Sequence, residues 1–177
     1  MNSNQILKSV NKLHVLKSKF KGVFARDTIP FFKINKIKKP FGFIVNLDKH
    51  NQIGSHWIAI YVPVDKNFVE YFDSFGRKPQ HYQIKKFLKK RKYYQYNNIK
   101  LQSIVNTTCG QYCLFYLICR SLNITPKKII LFFNRNNFNF NDYLVNETIN
   151  TLFKSKHKIS DLSYILSLIK NITKKYG

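Results

Sequence analysis

The stretch Cys109 to Leu122, CGQYCLFYLICRSL, is apolar almost all the way round a helical wheel. Such a helix cannot lie on a surface; other layers of the same chain have to enclose it. It is also too short to cross a bilayer, and no apolar run in the sequence reaches that length. The chain has 177 residues, 44% of them hydrophobic and 16% aromatic, which suffices for one sizeable core. No repeat, Gly/Ser linker or low-complexity tail marks a boundary, so residues 1–177 are expected to form one domain.

The covering layers can be read from periodicity. Ile6, Val10, Leu13 and Leu16 share a helical face, with Ser3 as cap. Lys21 to Pro40 reads as loop, and Phe41 to Leu47 as a short buried strand. Asp48 to Ser55 is a polar turn. Trp57 to Val62 and Phe68 to Phe72 are aromatic and β-branched, and the short Pro63–Asn67 link makes them an antiparallel pair. Pro79 opens a helix running to about Tyr93, and Ile99 to Leu101 is a further short strand. Three helices follow, capped by Thr125, Asn141 and Ser160, the last carrying the stripe Leu162, Ile165, Leu166 and Ile169. The expected class is α+β: a small, mostly antiparallel sheet packed on a central buried helix, with flanking helices.

Lys and Arg total 31 against 8 for Asp and Glu, a formal charge of +23. A field of that sign favours polyanions, and non-specific DNA is the expected partner. Within the run after Pro79, Lys85, Lys89 and Lys92 fall at helical spacing and are the candidate DNA contacts. A chain rich in Lys, Asn, Ile, Phe and Tyr also reflects AT-rich codons, but codon bias does not by itself hold acids down to 8. The three cysteines, Cys109, Cys113 and Cys119, are an odd count crowded into one helix, which points to a reducing, intracellular setting. The first twenty residues alternate lysines with apolar residues and lack the apolar core of a signal peptide.

Cys109 follows a polar triplet and begins the apolar helix. A thiolate there is stabilised by the helix dipole and by free backbone N–H groups, which makes an active nucleophile. Gly110 leaves room for a substrate backbone. His56 stands where a polar turn enters a buried strand, a place that can be both accessible and rigid, as a general base must be. Trp57, next to it, can wall the site or face an imidazolium. Asp73 ends the neighbouring strand and can orient the imidazole; Glu70, its competitor, points to the opposite face by alternation. Gln102, seven residues before Cys109, can supply a side-chain amide to an oxyanion hole. His14, His50, His81 and His157 lie in polar or lysine-rich surroundings and read as surface residues.

Taken together these residues resemble a family. The order His, acid, Gln, Cys is that of adenovirus-type (adenain-like) maturation proteases and the related SUMO-specific proteases. Gly54-Ser55-His56-Trp57 is similar to the family's histidine motif, Asp73-Ser74-Phe75-Gly76 to its acid turn, and Gln102-Ser103 through Cys109-Gly110 to its Gln-to-Cys block. The matches cover roughly residues 41 to 120. The resemblance implies a cysteine endopeptidase with a Cys-His-Asp triad, needing no cofactor for its chemistry. It implies substrates among viral capsid and core precursor proteins, cut after glycine in small-residue motifs, in the virion or at its intracellular assembly site. DNA and a peptide are activators in the adenovirus branch. The activating disulfide is not expected here, since all cysteines fall between Cys109 and Cys119. A virophage or Polinton-type source suits the composition, and a monomer without membrane contact is expected.

Three rivals remain. An isopeptidase acting on SUMO- or ubiquitin-like modifiers shares the triad, as does an acyltransferase of the same clan. A basic DNA-packaging protein would have no use for His56, Asp73 and Cys109 in register.

Overall fold

The computed structural model describes residues 1–32, 34–36, 38–64, 67–154 and 162–176. Two helices open the chain, α1 (Ser3–Lys12) and α2 (His14–Lys17). Asn2, not Ser3, caps α1 in a reciprocal box with Gln5. Ile6, Val10, Leu13 and Leu16 are buried as their spacing requires. Then come β1 (Phe20–Ala25), a 3-10 turn (Ile34–Lys36), β2 (Phe41–Asn46), β3 (Trp57–Val62) and β4 (Phe68–Phe72). After α3 (Tyr82–Leu88) and β5 (Tyr93–Tyr96) the chain finishes with α4 (Cys109–Ser121), α5 (Pro126–Ile130), α6 (Phe138–Lys154) and α7 (Leu162–Tyr176).

Among the described residues five strands form one sheet in the order β1-β2-β3-β4-β5. The inner pairs β2–β3 and β3–β4 are antiparallel, while β1 and β5 add to the edges in parallel. The sheet is therefore mixed and not mostly antiparallel. Both parallel edges fall in regions misread from sequence. Phe20–Ala25 lies partly inside the expected loop. It is a half-buried edge strand with a register break at Gly22, whose φ is +131°, so no clean alternation marks it. Tyr93–Tyr96 was expected to follow a helix reaching about Tyr93. That helix ends at Leu88, because Lys89 to Lys92 pile up cations with no carboxylate to offset them. The tyrosines then pair with the open edge of β4, where Tyr93 stacks on Phe68. Ile99–Leu101 forms no strand; its Leu101 N–H is bound to the Ser74 carbonyl.

The apolar run at Cys109 becomes α4, buried along nearly its whole length. It packs on the sheet face formed by Ile44, Ala59, Tyr61 and Phe72, with α1, α6 and α7 closing over it. The opposite face, with Phe43, Ile58, Ile60, Val69 and Tyr71, is covered by Ile84, Phe87 and Leu88 of α3. Cover on both faces explains why β3 reads as a continuous apolar run. Thr125 caps α5 as expected. Asn141 does not cap α6: it lies one turn inside, and Asn137 receives the Phe140 N–H instead. The stripe on α7 is Ile165, Ile169 and Ile172, with Leu162 and Leu166 left exposed. The Ser160 cap and His157 fall outside the described residues.

Candidate active site

β3 and β4 are neighbours, so the start of one and the end of the other share an edge. The polar turn before β3 is closed by the Leu47 N–H on the His56 carbonyl and by the Ser55 N–H on the Asp48 carboxylate. His56 thus enters β3 from a fixed point and is 7% exposed. Asp73 follows the last residue of β4 and is 1% exposed. His56 Nε2 stands 2.8 Å from Asp73 Oδ1, which also accepts the Phe75 N–H at 2.8 Å. The tight turn after Asp73 needs Gly76 at φ +68°, and a Cβ there would come within 2.6 Å of the Ile99 backbone. The Phe75 ring lies against the imidazole at 4.8 Å.

With Nε2 committed to Asp73, the other ring nitrogen is left for Cys109, and each of the two groups shifts the other's pKa. Burial disfavours a charged imidazole, but the bonds from Asp73 and Cys109 outweigh it and raise the His56 pKa to about 9. For Cys109 burial works against the thiolate as well. His56 and the backbone N–H groups of Trp57 and Gly110 overcome it and lower the thiol pKa. Both shifts favour thiolate beside imidazolium. The first turn of α4 adds to this, since no side chain caps it. By contrast burial pushes the thiols of Cys113 and Cys119 up. Among the described residues all three cysteines are free.

Gln102 is 1% exposed and held at both ends of its amide. Its Oε1 accepts the Ser74 hydroxyl at 2.6 Å, and its Nε2 donates to the Asn106 carbonyl at 2.6 Å. The Asn106 carbonyl, which can only accept, fixes which end is nitrogen, and one of the two amide hydrogens stays uncommitted.

The structure brings His56, Asp73 and Cys109 together and links Gln102 to the acid turn through Ser74. Glu70 is excluded from this cluster, being bound to Arg120 and Tyr116 on the α4 side of the sheet. Two readings change. Trp57 meets the thiol through its backbone N–H, while its indole donates to the Met1 carbonyl. The space beside Gly110 is filled by Met1, Ile6 and Trp57, so the missing side chain admits α1 and not a substrate. Lys85, Lys89 and Lys92 are all exposed, but Lys92 lies past the end of α3 and off its face. His50 is exposed and pairs with Asp27, whereas His81 is half-buried against Arg26.

Sequence reasoning missed Asn97, which clamps the Asp73 backbone by bonding both its N–H and its carbonyl. It also missed Asp142, a buried acceptor for the segment before Cys109. Asn97 carries no periodic signal. Asp142 could have been found by rarity: in a chain with 8 acids, one among the apolar positions of a helix stands out.

No family model matches the chain. It is 28% identical to the cysteine protease S273R of African swine fever virus, over 58% of this chain and 43% of that protein. In the Kenyan isolate the same protein is named a SUMO-1 cysteine protease. It is 31% identical to the putative thiol protease R355 of Acanthamoeba polyphaga mimivirus, over 67% of this chain and 42% of that protein. The chain thus spans less than half the length of these relatives. The crystal structure of the African swine fever virus pS273R protease superposes with a TM-score of 0.52 at 20% identity, covering 80% of this chain and 66% of that one. That likeness shows a shared fold. The chain is similar to viral cysteine proteases of the SUMO-protease-like type. Neither relative is from an adenovirus or a virophage, so the adenovirus reading rests on motif likeness and the virophage reading on composition.

Proposed function

We propose that this chain is a cysteine endopeptidase with the triad Cys109, His56 and Asp73, acting on viral capsid and core precursors after glycine. One observation carries the reading: a buried thiol at an uncapped helix start, its pKa lowered by an imidazole that a buried carboxylate holds at 2.8 Å. The Cys109 thiolate attacks the peptide carbonyl carbon, and the C=O electron pair moves to oxygen. Gln102 Nε2 and the Cys109 N–H take up the oxyanion. The imidazolium of His56 gives its proton to the leaving amine as the C–N bond breaks. His56, now neutral, removes a proton from water, whose oxygen attacks the thioester and frees Cys109.

A second reading has its own support, the SUMO-1 name carried by a relative: an isopeptidase releasing a modifier. Incubation with the virus's capsid precursors and, separately, with SUMO-1 conjugates decides between them. Mass spectrometry should find new C-termini at glycine in the precursors, with the conjugates intact. Cleavage of conjugates alone would overturn the endopeptidase reading. The +23 charge supports duplex DNA as a further partner, bound through Lys85, Lys89 and Lys92 without sequence preference, with affinity falling linearly in log–log form as salt rises.

A further inference from the structure

Asp142 lies on α6, 2% exposed, and no lysine, arginine or histidine is bonded to it among the described residues. A buried carboxylate without a cation must be stabilised by hydrogen bonds alone. All of Asp142's come from one place. Its Oδ2 accepts the Ser103 N–H at 3.2 Å and the Asn106 side-chain amide at 2.6 Å. Its Oδ1 accepts the Thr108 hydroxyl at 3.1 Å and the Tyr112 hydroxyl at 2.9 Å. Burial and the neighbouring carboxylate push the Tyr112 phenol far up, so it stays a donor. Asn141, next to Asp142, donates to the Leu101 carbonyl at 3.0 Å.

These bonds span residues 101 to 112, the segment that runs from Gln102 to Cys109. Two consequences bear on the oxyanion site. Asn106, held by Asp142, is the residue whose carbonyl receives one hydrogen of the Gln102 amide. Thr108, the N-cap residue of α4, spends its hydroxyl on Asp142 and leaves the first-turn N–H groups uncapped. A threonine at that position ordinarily turns its oxygen onto those N–H groups and competes with an incoming anion. We infer that Asp142 is a positioning residue for the oxyanion hole: it fixes the Gln102 amide through Asn106 and keeps the start of α4 open through Thr108. This rests on the proposed roles of Gln102 and Cys109.

The test separates oxyanion stabilisation from thiol reactivity. Acetyl-glycyl-glycinal adds reversibly to Cys109, Sγ bonding to the aldehyde carbon, and its oxygen then occupies the oxyanion site. Iodoacetamide reports only the thiolate. Asp142→Ala is expected to weaken the aldehyde about tenfold, part of the loss that follows removal of one oxyanion donor. The rate of Cys109 alkylation changes much less than the aldehyde affinity, moving only as far as a freed Thr108 caps the α4 N–H groups. Asp142→Asn keeps an oxygen for the Thr108 and Tyr112 hydroxyls but turns a donor on the Asn106 amide and the Ser103 N–H, so it is expected to recover only part of the affinity. The double variant with Gln102→Ala is expected to lose less than the sum of the two single losses, because the Asn106 route runs through the Gln102 amide. Additive losses, unchanged aldehyde affinity in Asp142→Ala, or an equal loss of alkylation would overturn the assignment. Should Asp142→Ala fail to fold, Asn106→Ala at an exposed position breaks the same link, with a smaller loss expected and no loss overturning the inference. Because the aldehyde needs no turnover, a wild-type chain that binds it yet cleaves no peptide would sink the protease reading and leave this one standing.

Discussion

Glu70 in β4 and Asp73 just past its end are three residues apart, both carboxylates and both buried, yet their settings are opposite. Glu70 faces α4 and is saturated. Arg120 reaches both of its oxygens, at 2.7 and 2.9 Å, and the Tyr116 hydroxyl adds a third bond at 2.7 Å. Asp73 meets an imidazole through Oδ1, while its Oδ2 has no partner among the described residues. A guanidinium does not titrate, so the Glu70 end of β4 is a permanent ion pair. An imidazole does titrate, so the Asp73 end can lose and regain its charge. The same division runs along α4. Cys109 at its mouth has a lowered pKa, whereas Cys113, one turn in, is pushed up by burial. One strand and one helix thus hold a locked end and a switchable end.

The largest effect should come from the switchable end. Cys109→Ala is expected to abolish both cleavage and iodoacetamide labelling with the fold retained, since losing a small thiol at a helix start removes little packing. Cys113→Ala should keep most activity. Peptide mapping that found the label on Cys113 would reverse the assignment.

His56→Ala should be nearly as damaging, and Asp73→Asn milder by roughly a hundredfold in kcat/KM. The pH profile sharpens the contrast. His56 must be protonated to serve the leaving amine, and its raised pKa keeps that form up to about 9. Activity should therefore fall above about pH 9, with the acid limb set by the lowered Cys109 thiol. Asp73→Asn removes one of the influences that raise the His56 pKa, so the basic limb should move to lower pH. A limb that stays near 9 would mean Asp73 only shapes the turn.

Much of this contrast was legible in the sequence because it depends on local pattern. Helix α4 announces itself by having no polar face, and β3 and β4 by aromatic and β-branched runs. Strand alternation alone put Glu70 and Asp73 on opposite faces. The partners of those residues were not legible. Arg120 belongs to Glu70, Asn97 to Asp73 and Asp142 to Thr108 across 50, 24 and 34 residues, and no periodicity encodes such pairs. Edge strands β1 and β5 were missed for a related reason. Each is recognised by an open neighbour in the sheet, and its own composition, FKGVFA or YYQY, does not show alternating burial.

The smallest effect on catalysis should come from the locked end. Glu70→Gln keeps the shape of the side chain and one carbonyl oxygen, so either Arg120 or Tyr116 can still find an acceptor. What goes is the charge that offsets a guanidinium whose side chain is 11% exposed. An uncompensated charge in that setting is costly, and the loss of stability should be about 3 kcal/mol, read as a lower urea midpoint with unchanged slope. Arg120 also stacks on Tyr61 and donates to the Ile124 carbonyl, which limits how far it can swing to water. Measured below the new midpoint, kcat/KM and its pH limbs should match the wild type, because Glu70 shares no hydrogen bond with His56, Asp73 or Cys109. If Glu70→Gln instead shifted the basic limb, the two ends of β4 would be electrostatically coupled and the division between a locked and a switchable end would fail.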